Sequence, residues 1–352
     1  MVTTIRHVAR LANVSVSTAS RALNGRDDVS PDVRARVLAA ARELNYTANL
    51  HARALKGATA KTLGVVLSDT NAFSFNGRLM SGIYDAATPR GYSVIVCDSR
   101  WNPDVEREAH RMLIEKRVDG VLLNSVNSGA APLRGLEAVG IPFVLLNRRL
   151  DEMDCDSVVL DYRRGSYLAA KHLLDQGHRR ILFQLGAEDH SPTRERLPGY
   201  REALNEFGVP FDPELIVYCD AMAETHARVL EVMAKLQPRP TAVMAYNDET
   251  ALPVLKALRD LGLDVPREVS VVGQNDVVLA QYLDPPLTSV AHAVRDMARQ
   301  GTELLFEKIG WPAEEPWTPR RVAYEPRLVV RESSQAPRSA ATGRRTAATV
   351  GS

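Results

Sequence analysis

The chain has 352 residues, of which 45% are hydrophobic and 25% charged, a globular composition that excludes a disordered or fibrous chain and leaves room for two or three cored domains. No apolar run approaches the roughly 20 residues of a membrane span, and the charges near Met1 exclude a secretory leader. The net charge of +1 is unevenly spread: residues 1–61 hold ten Lys and Arg against four acids, a net +6, and the remainder holds 34 against 39, a net −5. A small basic head on a mildly acidic body predicts that the head alone meets a polyanion. Cys97, Cys155 and Cys219 are too sparse and scattered for a disulfide framework, so reduced thiols in a cytoplasmic protein without membrane contacts are expected.

From Thr4 to Asn24 the chain reads TIRHVARLANVSVSTASRALN. Val8, Ala9 and Ala12 share one side of a first helix, and Ala19, Ala22 and Leu23 one side of a second. Asn13 suits a left-handed turn between them, and Ser15 suits the cap of the second helix. Small residues at Ala9, Ala12 and Ala19 allow the helices to cross closely, which makes a helix-turn-helix whose second helix is shaped for a major groove. Ser30-Pro31-Asp32 opens a third helix with a capping hydroxyl, a proline in the first turn and an acid near the positive end of the dipole. Its stripe of Val33, Val37, Ala40, Ala41 and Leu44 closes a three-helix core. Asn49 then caps a short helix ending at Gly57, marginal by itself in water.

VARLANVSVSTASRALNG, VSPDVRARVLAAARELNY and the trio Asn49, Ala52 and Leu55 resemble the head and hinge of the LacI/GalR family of bacterial transcriptional repressors. The resemblance covers residues 3 to about 332. It implies that the hinge helices of two subunits pair in the minor groove, with Leu55 wedged into a central base step, an exchange of unstacking for a kinked duplex. Ala48 stands where the family usually carries proline.

Beyond Thr62 short apolar runs alternate with amphipathic stretches. Runs at 63–67, 93–97, 120–123, 143–146, 157–160, 180–184, 242–245 and 269–272 read as buried parallel strands. Helices are predicted between them at 78–88, 104–116, 163–175, 194–206, 225–236 and 249–261. This repetition predicts a doubly wound α/β body with ligands at the carboxyl ends of its strands. Gly177-His-Arg-Arg-Ile181, Gly199-Tyr200-Arg201, Asn247-Asp248 and Asp284-Pro-Pro-Leu-Thr-Ser-Val290 resemble motifs of the same repressors and imply two lobes like a periplasmic sugar-binding protein. The expected fold is thus a small all-α helix-turn-helix head plus an α/β two-lobed periplasmic-binding-protein-like body. The expected segments are a DNA-binding domain at 1–47, a hinge and linker at 48–61, and an effector-binding and dimerisation domain at 62–332. Lobe 1 covers 62–159 and 291–320, lobe 2 covers 160–290 and 321–332, and a disordered Ala/Ser/Thr/Arg tail runs over 333–352. The tail lacks leucine heptads, so a homodimer is expected.

On the second helix the resemblance sets Val16, Ser17 and Arg21 against base edges. Arg grips guanine through two hydrogen bonds, and Val meets a thymine methyl. Ser15, Thr18 and Asn24 then become phosphate contacts, which set register without reading sequence. In the body the resemblance points to Asn147, Arg196, Asn247 and Asn275 at strand ends, and to Ser68, Phe73 and Phe75 in a loop spanning 68–75. Many relatives carry carboxylates where this chain has Asn147 and Asn275. Losing two anions beside Arg148 and Arg196 favours a negative ligand, so the expected effector is a sugar, a sugar acid or a sugar phosphate. Relatives often place a ring-stacking aromatic at Asp220-Ala221-Met222, so either Phe73, Phe75 or Trp101 compensates or the ligand is not a pyranose.

GxSxG, GxGxxG, Walker and HExxH motifs are absent, and the eight histidines show no metal spacing. No catalytic residue, metal or cofactor is expected. The resulting expectation is a repressor that binds a palindromic operator under the control of a carbohydrate-like effector. A sugar-binding protein without a regulatory role is the alternative.

Overall fold

A computed structural model describes residues 3–23, 26, 28–46, 59–69, 73–125, 129–150, 152–188, 190–219, 221–312 and 314–337. The chain divides into two compact units, 1–62 and 63–352. The expected hinge residues Asn49, Ala52 and Leu55, the phosphate contact Asn24 and everything past residue 337 lie outside the described residues, as does the side chain of Phe73.

Among its described residues the first unit has three helices, α1 (Ile5–Leu11), α2 (Val16–Leu23) and α3 (Pro31–Glu43). Asn13 turns the chain with φ of 51°, and the Ser15 Oγ caps α2 by accepting from the Thr18 N–H at 3.0 Å. The Ser30 Oγ accepts from the Val33 N–H at 3.5 Å. Val8, Ala9, Ala12, Ala19, Ala22, Val37, Ala40 and Ala41 form the core. Because most are alanines, the helices pack closely and each leaves its outer face to solvent.

The second unit holds two six-stranded sheets. In the first the order is β11-β5-β4-β3-β1-β2, with β1 (Thr62–Leu67), β2 (Ser93–Asp98), β3 (Gly120–Leu123), β4 (Phe143–Leu146), β5 (Ser157–Leu160) and β11 (Arg321–Tyr324). In the second it is β12-β10-β9-β8-β6-β7, with β6 (Ile181–Leu185), β7 (Ile216–Tyr218), β8 (Ala242–Met244), β9 (Ser270–Asn275), β10 (Thr288–Ala291) and β12 (Arg327–Val329). Strands β1, β3, β4, β5 and β11 are parallel. So are β7, β6, β8, β9 and β10, and β12 alone runs antiparallel to β10. Central strands such as β4 and β6 are buried along their full length, as expected where helices cover both faces.

Helices α4 (Phe73–Ala87), α5 (Pro103–Glu115), α6 (Ala131–Ala138) and α11 (Val294–Ile309) accompany the first sheet, and α7 (Tyr162–Asp175), α8 (Ser191–Glu206), α9 (Met222–Lys235) and α10 (Asp248–Asp260) the second. Each lobe has one very close helix pair that depends on a glycine. A Cβ on Gly82 would lie 2.1 Å from the Arg295 carbonyl oxygen where α4 crosses α11, and one on Gly199 would lie 1.9 Å from the Arg163 oxygen where α8 crosses α7.

Three details differ from the expectation. The third crossover between lobes follows Tyr324 instead of falling near 321, because β11 pairs with β5 and so completes the first sheet before the chain leaves it. The tail does not leave the fold at 333. The Ser333 N–H and carbonyl meet Pro286 and Val271, and its Oγ donates to the Val271 oxygen at 2.6 Å, while Ser334 pairs with Thr288. These small polar residues dock by hydrogen bonds, which a hydrophobic pattern does not register. The segment expected as a loop over 68–75 becomes helix at Phe73, so Phe75 stands in the first turn of α4.

Candidate functional site

The head presents α2 outward. Val16, Ser17 and Arg21 are exposed while Ala19 and Ala22 face the core, so the three expected base-reading side chains share the open face. The Arg21 Nη1 lies 3.3 Å from Asp28 Oδ2, and both side chains remain more than half exposed. This surface pair leaves most of the guanidinium fork available and holds it only weakly. The Ser15 hydroxyl is engaged at the helix start, 2.7 Å from Ser17 Oγ and 2.8 Å from Thr18 Oγ1. Arg10, Arg26, Arg36 and Arg42 are also exposed on this unit.

In the body a cavity of about 680 Å³ opens between the lobes. The carboxyl ends of the strands line it in turn: Ser68 follows β1, Asn124 follows β3, Asn147 follows β4, Tyr162 lies just beyond β5, Tyr246 and Asn247 follow β8, and Asn275 ends β9. The topology therefore brings together every expected effector residue whose side chain is described, namely Ser68, Phe75, Asn147, Arg196, Asn247 and Asn275. Asn147 and Asn275 adopt φ of 59° and 94°, and Trp101 φ of 55°. Left-handed backbone at three non-glycine positions around one cavity is the kind of strain that gathers at binding sites.

Two buried guanidiniums dominate the cleft. Arg148 donates from Nη1 to the Asn147 carbonyl at 2.7 Å and from Nη2 to Ser68 Oγ at 2.9 Å, and that hydroxyl donates in turn to the Asn124 oxygen. Burial pushes the Arg148 pKa below its ordinary value. Arg196, on α8, donates from Nε to Gln274 Oε1 at 3.2 Å, and its Cζ sits 4.1 Å from the centroids of both Tyr162 and Tyr246. Its Nη1 and the Oδ1 atoms of Asn147 and Asn275 are buried without partners. Behind them His292 packs edge-on to Tyr162, and burial with repulsion from Arg196 and Arg78 drives its pKa down to about 3, so it is neutral at physiological pH. Asp248, next to Asn247, accepts from Ser289 Oγ and the Val277 N–H, and burial raises its carboxyl to about 7.

Several contacts bridge the lobes at this cavity. The rings of Trp101 and His190 stack 3.8 Å apart. Glu249 Oε1 accepts from the Ser74 N–H at 3.1 Å, and Arg78 donates to the carbonyls of Asn275, Asp276 and His292. Sequence reasoning overlooked His190, Tyr162 and Tyr246 as lining residues. The strand-end rule was capable of finding the two tyrosines, but no local signal marks His190. Asn247 also caps α10 by accepting from the Thr250 N–H, so it serves the helix as well as the cavity.

Residues 4–49 match the model of bacterial regulatory proteins of the lacI family, and residues 170–334 match a periplasmic binding protein-like domain. The chain is 32% identical to the transcriptional repressor PurR of Aliivibrio salmonicida over 87% of its own length and 92% of that repressor. It is also 32% identical to the ribose operon repressor of Haemophilus influenzae, covering 94% and 98% of the two chains. Its fold matches the Lac repressor dimer bound to operator and the anti-inducer ONPF at a TM-score of 0.83 and 25% identity, covering 96% of this chain and 100% of that one. It also matches the transcriptional regulator CelR in complex with cellobiose at a TM-score of 0.71 and 32% identity, covering 94% and 100%. The chain belongs to the lacI family of bacterial regulatory proteins and is a DNA-binding transcriptional regulator.

Proposed function

We propose that the protein is a cytoplasmic repressor that binds a palindromic operator as a homodimer under the control of a small carbohydrate-like ligand held in the cleft. The reading is carried by one observation: a cavity at the strand ends whose buried polar atoms on Asn147, Arg196 and Asn275 have no hydrogen-bond partner among the described residues. Unsatisfied buried groups of this kind are costly unless a ligand or water completes them. Val16, Ser17 and Arg21 read bases, Ser15, Thr18 and Asn24 hold phosphates, and the Asn49–Ala52–Leu55 segment enters the minor groove between two subunits.

Exposed apolar side chains support dimerisation of the body. Tyr84 and Val96 stand open on the first lobe, and Val278, Leu279 and Tyr282 on the second, with Val278 and Tyr282 each more than 70% exposed. Closure of the lobes on a ligand shifts these faces and with them the spacing of the two heads. Binding is the task assigned to the cleft, so a bound sugar is recovered unchanged. The test is selection of DNA from a random pool by the full chain. Enrichment of an inverted repeat, with half-sites about one helical turn apart, supports the reading. Enrichment of no sequence would leave a sugar-binding protein without a regulatory role.

A further inference from the structure

We infer that the cleft selects a small hydroxylated anion, a sugar bearing a carboxylate or a phosphate, over the neutral parent sugar. This rests on the cleft being the effector site and specifies the chemistry that the site demands.

The first ground is buried positive charge with no ion pair among the described residues. Arg148 and Arg196 are 5% and 2% exposed. Their described partners are a backbone carbonyl, a hydroxyl and an amide oxygen. Glu195 and Glu106 act on Arg148, and Glu195 on Arg196, through space only, and an anionic ligand in direct contact relieves the remaining burial cost at both arginines.

The second is geometry. The Arg196 Cζ lies 4.1 Å from the ring centroids of both Tyr162 and Tyr246. Its Nε is committed to Gln274, which leaves the buried Nη1 without a partner among the described residues. A planar fork with an uncommitted donor is shaped for an oxygen of a carboxylate or phosphate.

The third concerns the rest of the ligand. Asn147 Oδ1 and Asn275 Oδ1 are acceptors without donors, one in each lobe. An inorganic anion such as sulfate or chloride has no proton to offer them, whereas sugar hydroxyls do. The same cavity is lined by two carboxylates, Asp69 and Glu249. Glu249 accepts from the Ser74 N–H across the cleft. Glu195, adjacent to Arg196, is held toward its neutral form by burial, which weakens its opposition to a negative ligand.

Calorimetric titration of the full chain tests the inference, with glucose and ribose as neutral probes, gluconate and ribonate as carboxylates, and the terminal phosphate esters of the same sugars. At least one anion is expected to bind about tenfold or more tightly than its neutral parent, and the better of the two anion classes identifies the charged group. Asn275→Asp, nearly isosteric, is expected to weaken that anion by about tenfold more than it changes the affinity for the neutral parent. Neutral sugars that bind as tightly as their acids and phosphates overturn the inference and leave the effector site standing. If no probe of any class gives heat or raises the melting temperature, the inference falls together with the effector reading of the cleft.

Discussion

The helical head carries the side chains proposed to meet DNA on the outside, whereas the two-lobed body buries those proposed to meet the ligand. Val16, Ser17 and Arg21 stand exposed on α2, while Ser68, Asn147, Arg196 and Asn275 each keep less than a tenth of their surface open. The difference follows from what each region meets. DNA is a large polyanion that approaches a surface, so the head needs only a rigid helix and spare donors. A small ligand has little area, and specificity requires that it be surrounded by polar groups that stay unsatisfied without it.

The same contrast explains how legible each region was. The head obeys local rules: the left-handed Asn13, the Ser15 and Ser30 caps and the alanine stripes all lie within a few residues of what they act on, and each was readable in order. In the cleft the strand-end rule located Ser68, Asn147, Asn247 and Asn275, since each follows or ends an apolar run. It gave no account of how Tyr162 and Tyr246 enclose Arg196, or of Trp101 stacking on His190, because those contacts join segments far apart in the chain. The edge strand β11 alternates exposed and half-buried residues, β12 has no buried residue, and both carry arginines, so they lack the apolar signature of the central strands.

The comparison is broken most severely by crowding the body. Gly199→Ala forces a methyl against the Arg163 carbonyl, and a loss of about 3 kcal/mol is expected in the denaturation of the body. Gly77→Ala, with open space around the new methyl, is the control and is expected to be neutral or slightly stabilising. Equal behaviour of the two variants would refute the close α7–α8 crossing.

At the head, Arg21→Ala removes an exposed side chain whose only described ion pair is the weak one to Asp28. Operator affinity is expected to drop by about 2 kcal/mol with relaxed preference at one base pair, while the melting temperature barely moves. A uniform loss across all DNA sequences would make Arg21 a phosphate contact instead.

In the body, pH should act through a buried carboxyl. Asp248 is raised from 3.8 to about 7, so between those values the folded protein holds a proton that the unfolded chain has released. This stabilisation is fully present below pH 3.8 and is lost as pH rises through 7, by roughly 1.4 kcal/mol per pH unit within the window. His292, lowered from 6.5 to about 3, acts in the opposite direction over its own window. Comparison with Asp248→Asn isolates the carboxyl: the stability of the native chain relative to the variant should decline from about pH 5 to about pH 8, and a flat difference would contradict the assignment.

The smallest effect belongs to the α2 cap. Ser15→Ala deletes the acceptor of the Thr18 N–H, and about 1 kcal/mol of head stability should be lost without change in the body's ligand affinity. A ligand affinity that falls along with it in the absence of DNA would show that the substitution disturbs the body and not the cap alone.

The central claim is that the exposed site and the buried site report to each other. The decisive measurement is the affinity of the full chain for its cleft ligand, by titration, first free and then saturated with its selected operator. Thermodynamic linkage predicts that operator changes ligand affinity by the same factor by which ligand changes operator affinity, commonly about 5- to 150-fold in coupled systems. Identical ligand affinity with and without DNA would contradict the account, leaving a DNA-binding head and a ligand-binding body that merely share a chain.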